Sequence, residues 1–201
     1  MGEAIWQGAL TGLVLATFVG PIFFAVVDLG LQGHIRGAAW LAFGTFVSDI
    51  LTVLFIYLVA RSIDRDSMLL QVMYVAGGSV LLLMGLQNLL KKKQAEDHPD
   101  LSRQSARSLF ARGFLINSTN PNVFFFWFGA VMSAVSHYQG RSALVLLHFF
   151  VALLIVFSTD FLKGYSASLL RPYIRPAILL SLSRISGIIL IGFGIKLIFF
   201  H

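Results

Sequence analysis

Six long apolar runs constrain this chain more than any other feature of its sequence. The hydrocarbon core of a bilayer is about 30 Å thick, and an α-helix needs about 20 mostly apolar residues to cross it. Runs near this length cover residues 5–31, 38–60, 68–90, 113–136, 142–165 and 179–200. Strands with open edges are excluded in lipid, because their backbone N–H and C=O groups would have no partners. The sequence therefore predicts an all-α membrane protein with six transmembrane helices.

Composition argues against a water-soluble fold. Of 201 residues, 57% are hydrophobic and 12% are charged, whereas soluble domains average about 45–50% apolar and about 25% charged residues. The formal net charge is +6, but the basic residues lie between apolar runs, where anionic lipid head groups attract them. The lipid bilayer is therefore the predicted partner, and no nucleic acid is expected. Because the chain has no cysteine, disulfides and thiolate metal sites are excluded.

The placement of Lys and Arg predicts how the six runs are oriented, because cytoplasmic loops carry an excess of these residues. With the N-terminus outside, the cytoplasmic segments hold Arg36, Lys91, Lys92, Lys93, Arg103, Arg107, Arg112, Lys163, Arg171, Arg175 and Arg184. The outer loops hold only Arg61, Arg65 and Arg141. Both termini are therefore predicted to lie on the periplasmic or exterior side. The first run has no basic residues before it and is too long for a signal peptide, so it is expected to be retained.

The two halves of the chain share a pattern. Three positions of the third run recur at a constant offset in the sixth, as Gly78, Leu81 and Gly85 against Gly187, Leu190 and Gly194. The second and fifth runs share an aspartate that follows a phenylalanine by three residues, as Phe46 and Asp49 against Phe157 and Asp160. Since each half has three runs, an odd number, the halves would form an inverted-topology repeat, which is common among secondary transporters. The predicted units are a first three-helix repeat over 1–90, a cytoplasmic linker over 91–112 and a second three-helix repeat over 113–201.

The first and fourth runs are each interrupted by a proline-containing pair, Gly20-Pro21 and Asn120-Pro121. Proline removes a backbone hydrogen bond from a helix, and transporters use such breaks to point half-helix ends at a substrate. The alternative is an ordinary packing kink. The predicted substrate or ion pathway contains Gly20, Pro21, Asp49, Asn117, Asn120, Pro121 and Asp160, with Asp28, Gln87 and Lys196 as secondary candidates.

Asp49 is the strongest candidate among the acidic residues within the runs. A carboxylate near the bilayer centre costs roughly 3 kcal/mol, and Asp49 lies close to the middle of the second run. It suits a proton carrier or a partner for a substrate ammonium group. The alternative is a structural aspartate that is protonated or paired with Lys196.

The other two acids have local alternatives. Asp160 has Lys163 three residues later, so the two side chains suit a structural ion pair, although the repeat makes Asp160 the counterpart of Asp49. Asp28 lies one turn from the end of the first run, within reach of an ion pair with Arg36.

Motifs for catalysis are missing. The sequence has no Gly-rich phosphate loop, no His/Glu metal pair on a helix and no nucleophile elbow. We therefore expect no enzymatic activity, no cofactor and no bound metal, and ATP-driven transport would need a separate subunit.

The motifs around the two breaks and Asp49 resemble those of the LysE/RhtB superfamily of amino-acid exporters. The first-half signature is similar over Gly20-Pro21, Gly33, Gly37, Gly44 and Ser48-Asp49, and the second over Arg112-Gly113-Phe114, Asn117 and Asn120-Pro121. The resemblance implies a secondary exporter of amino acids or related small metabolites in the bacterial inner membrane, driven by a proton or ion gradient. It also implies that the two breaks and Asp49 form the transport centre.

Two positions depart from the pattern of that superfamily. Val19 stands where the first break usually has a leading proline, and Asn122 stands where the second usually has a lysine. Lysine is therefore not assumed to be the cargo. Export of metal or other inorganic ions and a non-transport role in membrane assembly are the alternatives, and a homodimer is a further expectation.

Overall fold

The regular structure is entirely α-helical wherever the chain is described. The computed structural model describes residues 1–60, 68–90, 101, 104–170 and 176–199. These ranges contain eight helices: α1 (Gly2–Ala16), α2 (Pro21–Leu31), α3 (Ile35–Ala60), α4 (Met68–Leu90), α5 (Ala106–Ser118), α6 (Pro121–His137), α7 (Ser142–Leu170) and α8 (Pro176–Phe199). The prediction of an all-α fold is confirmed. The outer loop with Arg61 and Arg65, and most of the linker before Gln104, lie outside the described residues.

Two of the six apolar runs are folded as pairs of helices. The first run forms α1 and α2, which meet at a bend of 75°, and the fourth run contains the break between α5 and α6. Pro21 and Pro121 each open the second helix of their pair, because proline has no N–H to lose in a first helical turn. The helix α5 starts at Ala106, inside the segment predicted as a linker.

Three of the described helices are long and apolar enough to cross a bilayer alone, namely α3, α7 and α8. The bent pair α1–α2 meets the same criterion as one span, which gives up to four candidates within the described ranges. In α4, the apolar stretch whose side chains are all described covers Tyr74–Leu90, and α5 carries Arg107 and Arg112. Six spans therefore stay a prediction.

Glycines let the helices α4 and α8 approach closely as an antiparallel pair. A Cβ atom on Gly85 would lie 2.7 Å from the carbonyl oxygen of Gly187, and one on Gly78 would lie 2.7 Å from that of Gly194. The contacts are reciprocal, since a Cβ on Gly187 would lie 2.6 Å from the Gly85 oxygen. Small residues at such spacing bring backbones together in membrane proteins, where dispersion packing replaces the hydrophobic effect.

Two further helix pairs run parallel and are also joined at glycines. In the pair α1–α7, a Cβ on Gly12 would lie 2.6 Å from the carbonyl oxygen of Ala152, and Gly8 packs on the backbone of His148. In the pair α3–α5, Gly113 packs on the backbone of Leu41. The repeat predicted from the sequence would relate these two pairs to each other.

The two ends of the helix bundle differ in charge. At one end α2 finishes and α3 and α5 begin, and this end, here named the basic end, carries Arg36, Arg107, Arg112 and Lys163. At the opposite end, named the hairpin end, α1 begins and the short connection 138–141 joins α6 to α7. The larger core cluster surrounds α6, whereas a smaller one near the basic end includes Leu29, Leu41 and Leu109.

The glycine contacts predict a stability difference between two alanine substitutions in α8. Gly187→Ala forces a methyl group against the Gly85 carbonyl, and overpacking of this kind costs roughly 1–3 kcal/mol, whereas a Cβ on Gly192 meets nothing within 4 Å. We expect Gly187→Ala to lower the midpoint of thermal unfolding of the purified protein in detergent, and Gly192→Ala to leave it unchanged or raise it slightly. Equal midpoints for the two variants would contradict this account of the α4–α8 contact.

Candidate functional site

A cavity of about 380 Å³ lies between the helices at the level of the two breaks. Pockets for small ligands usually begin at about 300 Å³, so one small metabolite fits. The polar side chains in its wall are Asp28, Thr45, Asp49, Gln87, Asn88, Arg112, Asn117, Asn120, Asn122, Asp160 and Lys163. The rest of the wall is apolar and includes Leu15, Phe18, Phe23, Met84, Val123 and Leu190.

Most residues predicted for the pathway meet at this cavity. Its wall contains Gly20, Pro21, Asp28, Asp49, Gln87, Asn117, Asn120 and Asp160. Pro121 opens α6 from an exposed position just beside the wall. The secondary candidate Lys196 is exposed on α8 and does not line the cavity. The pattern of residues along an apolar helix does not show which of its faces points into the protein.

Asp49 is the most deeply buried acid of the site, with 1% of its surface exposed. Its Oδ1 accepts hydrogen bonds from Asn117 Nδ2 and from Trp127 Nε1, each 2.8 Å long. These neutral donors replace the pairing with Lys196 that the sequence left open. The other oxygen, Oδ2, receives no hydrogen bond from any described residue, so it remains available on a side chain that lines the cavity.

Asp160 forms the local ion pair that the sequence allowed. Lys163 Nζ donates to Asp160 Oδ1 over 2.7 Å, and Asp160 is 6% exposed. The same ammonium group lies 5.9 Å from the centre of the Phe23 ring, a cation–π geometry. The pair lines the cavity, so its structural role and a role in the pathway are compatible.

Asp28 also reaches the cavity and does not pair with Arg36. Its Oδ2 accepts a hydrogen bond of 2.9 Å from Gln32 Nε2, one helical turn later. Arg36 is exposed on the first turn of α3. The ion pair predicted as an alternative is therefore replaced by a weaker polar contact.

The first break is satisfied by side chains from α4 and α8. Val19 N–H donates to Ser186 Oγ over 2.9 Å, and the Val19 carbonyl accepts from Asn88 Nδ2 over 3.5 Å. Non-helical backbone at membrane depth needs such partners. The departure of Val19 from the superfamily's proline acquires a physical meaning, because a proline would have no N–H for Ser186.

The second break is satisfied locally. The Asn120 side chain caps α6 by accepting from the N–H of Asn122 over 3.0 Å, as short polar residues do at helix N-termini. The hydroxyl of Thr119 donates to the carbonyl of Leu115 over 2.7 Å and closes the last turn of α5. By contrast, Gly20 has no side chain with which to cap α2.

Aromatic rings close the cavity on the side of the hairpin end. Phe18 lines the cavity and lies 5.2 Å, centre to centre, from Phe126, which lies 4.7 Å from Phe193. Phe126 and Trp127 are fully buried. The polar groups Arg112, Asp28 and Lys163 lie on the other side, so the cavity extends toward the basic end.

A separate polar cluster near the hairpin end ties α1 to α7. His148 Nε2 lies 3.0 Å from Thr11 Oγ1, and Nδ1 lies 3.3 Å from the Tyr138 hydroxyl. Burial, and secondarily the charge of Glu3, raise the pKa of Tyr138, so its hydroxyl stays protonated beside His148. These contacts give His148 a packing role between the two helices.

Several side chains of the site were not chosen as pathway residues from the sequence, among them Thr45, Trp127 and Arg112. Trp127 lies in a Phe-rich run of the sequence and was not predicted to belong to the site, although a buried indole N–H usually needs an acceptor. Arg112 was counted as a cytoplasmic loop residue, because the start of α5 was placed too late. Only a correct placement of the start of α5 would have put Arg112 on a helix and within reach of the site.

The comparisons with known proteins point in one direction. The family described as LysE type translocator matches residues 13–200. The chain is also similar to a Bacillus subtilis (strain 168) protein named "Putative amino acid efflux protein YcgF", with 27% identity over 187 residues that cover 91% of this chain and 89% of the relative. No solved structure matches the chain.

The hydrogen bonds to Asp49 predict that Trp127→Phe is destabilising. The ring is largely kept, but a buried acceptor loses one donor, which costs about 1–3 kcal/mol. We expect a lower midpoint of thermal unfolding for Trp127→Phe, and little change for Trp40→Phe, whose side chain is 45% exposed. A Trp127→Phe protein as stable as the Trp40→Phe control would show that this hydrogen bond contributes little to the stability of the fold.

Proposed function

Because the chain belongs to the LysE type translocator family, we propose that it exports amino acids or related small metabolites across the bacterial inner membrane, driven by a proton or ion gradient. The family confirms the resemblance drawn from the sequence motifs. The observation that carries the proposal is the cavity at the two helix breaks, which presents the buried carboxylate of Asp49. The relative's name concerns amino acid efflux, which supports this class of cargo.

The proposed architecture has six spans in two inverted repeats. In it, α1–α2 and α5–α6 are the first spans of the halves, α3 and α7 the second, and α4 and α8 the third. The parallel pairs α1–α7 and α3–α5 are equivalent under this arrangement, and the reciprocal glycine contacts of α4 with α8 suit a two-fold axis. Phe46 and Phe157, which the repeat relates, lie 4.9 Å apart between ring centres.

The proposed orientation places the basic end in the cytoplasm and both termini outside. Arg36, Arg107 and Lys163 lie at that end, as the excess of cytoplasmic basic residues requires. The cavity extends toward the same end, so the structure would correspond to an inward-facing state. Export then needs the Phe18–Phe126–Phe193 stack to part while the basic end closes.

In the proposed mechanism, Asp49 alternates between two charge states. Asn117 and Trp127 hold Oδ1 in place, while Oδ2 either carries a proton or accepts the ammonium group of the cargo. Deprotonation toward the cytoplasm and protonation from the exterior would couple one proton entering to one substrate leaving. Gly20 and Asn120 end the broken segments, and these are the hinges about which the repeats would rock.

The orientation predicts the accessibility of two cysteine substitutions, which the cysteine-free chain makes easy to read. Arg141 and Arg107 are both exposed, the first at the hairpin end and the second at the basic end. In intact cells, a membrane-impermeant maleimide should label Arg141→Cys and leave Arg107→Cys unlabelled until the membrane is opened. The reverse pattern would invert the proposed orientation.

The proposed activity predicts efflux that depends on Asp49. Cells loaded with dipeptides that contain each of the twenty amino acids should release one or a few of them faster when they express this protein. A protonophore should abolish the difference. Asp49→Asn should lower the release at least tenfold, because an amide accepts the same hydrogen bonds but cannot exchange a proton or carry charge.

Glu3→Gln is the matched control for Asp49→Asn. Glu3 is exposed and bonds His137 at the hairpin end, far from the cavity. This variant should transport like the original protein at equal amounts in the membrane. Unchanged efflux in Asp49→Asn would remove Asp49 from the mechanism, and no efflux of any amino acid would favour ion export or a role in assembly.

A further inference from the structure

We propose that the guanidinium group of Arg112 binds the carboxylate of the transported molecule, and that a free carboxylate is required of the cargo. The inference rests on the proposed function and adds the group that binds the anionic part of the cargo. Its starting point is a charged side chain that the mechanism built on Asp49 does not use. Arg112 lines the cavity from α5.

Arg112 has unused hydrogen-bonding capacity inside the protein. Its Nε is buried and has no hydrogen-bond partner, and no described residue forms an ion pair with it. A guanidinium group carries five N–H donors and cannot lose its charge in a protein. A buried donor without an acceptor is unfavourable, so the arrangement is completed by an acceptor that enters the cavity.

The other cation of the cavity is already engaged. Lys163 donates to Asp160 over 2.7 Å and lies over the ring of Phe23. Arg112 is therefore the only cation that lines the cavity without a partner, among the residues that the structure describes. A carboxylate is the group that best matches it, because the planar guanidinium offers two parallel N–H donors to two oxygens.

The helix α5 directs Arg112 toward the same space as the Asp49 site. Arg112 and Ile116 are four residues apart on α5 and both line the cavity, as residues on one helix face do. Asn117, which bonds Asp49, is five residues further, about 7.5 Å along the helix axis. An α-amino acid between these levels would place its carboxylate at Arg112 and its ammonium group toward Asp49 Oδ2.

Close packing makes this placement rigid. Gly113 packs on the backbone of Leu41, and a Cβ on Gly44 would lie 2.9 Å from the N–H nitrogen of Phe114. Gly44 also packs on the backbone of Phe110, so contacts on both sides of Arg112 fix the rotation of α5 against α3. The Arg112 side chain on this helix is half-buried.

The test compares Arg112→Gln and Arg112→Lys with the control Arg107→Gln in the dipeptide-loaded cells, using all twenty amino acids as probes. Arg107 is exposed on the same helix and does not line the cavity. For each amino acid that the original protein exports, Arg112→Gln should raise the half-saturating internal concentration at least tenfold, with a much smaller change in maximal rate. Arg112→Lys should be intermediate, because it keeps the charge and loses the paired donors.

A second measurement needs no variant and so does not depend on folding of the Arg112 proteins. Everted membrane vesicles expose the cytoplasmic side, and the exported amino acid, radiolabelled, is taken up into them. At a saturating total concentration, a tenfold excess of the same unlabelled amino acid should lower uptake of the label about tenfold, whereas a tenfold excess of its carboxamide should leave most of it. The amide keeps the ammonium group and the side chain, so only the carboxylate is tested.

The outcomes separate the two proposals. Competition by the amide equal to that of the amino acid, or Arg112→Gln kinetics equal to those of Arg107→Gln, would overturn the role of Arg112 while leaving amino acid export intact. A lower maximal rate at an unchanged half-saturating concentration would overturn it too, in favour of a structural role. Absence of export of every amino acid by the original protein would overturn the proposed function and this inference together.

Discussion

The hydrogen bonds of Asp49 with Asn117 and Trp127 join three helices around one oxygen atom. Asp49 comes from α3, Asn117 from the end of α5 and Trp127 from α6, so the two pieces of the broken segment are held to the first half of the chain. Removing a carboxylate from water is costly unless it is hydrogen-bonded. Here the two neutral donors supply those hydrogen bonds to Oδ1.

The same need of buried polar groups for hydrogen-bond partners explains how the two breaks are stabilised. Backbone N–H and C=O groups that a proline frees at membrane depth must find partners inside the protein. The second break uses its own side chains, Asn120 and Thr119. The first uses Ser186 and Asn88 from α8 and α4, so any movement of the first break is coupled to the helix pair that holds it.

Close approach at glycines supplies the frame in which these contacts are possible. The pairs α4–α8, α1–α7 and α3–α5 all meet where a Cβ atom would collide with a neighbouring backbone. In lipid, such contacts replace the burial of apolar surface as the source of specificity. In the proposed transport cycle, these pairs move as units and the cavity lined by the broken segments stays between them.

The sequence alone determined the properties that depend on local composition. Apolar runs of bilayer length required helices, Gly20-Pro21 and Asn120-Pro121 marked the breaks, and Asp49 was conspicuous because a carboxylate is rare at such depth. The motifs were also sufficient for the family. The count of six spans and the inverted repeat remain predictions, since the described helices include at most four clear spanning candidates.

Only the tertiary structure decided which side chains meet. Trp127 lies 78 residues from Asp49 along the chain, and Ser186 lies 167 residues from Val19. Lys196, a candidate for the site, is exposed on α8, whereas Arg112, expected in a loop, lines the cavity. The physical reason is that a helix in lipid is apolar on all sides, so its sequence does not mark which face is buried. The rotation of the helix is set by the partners against which it packs.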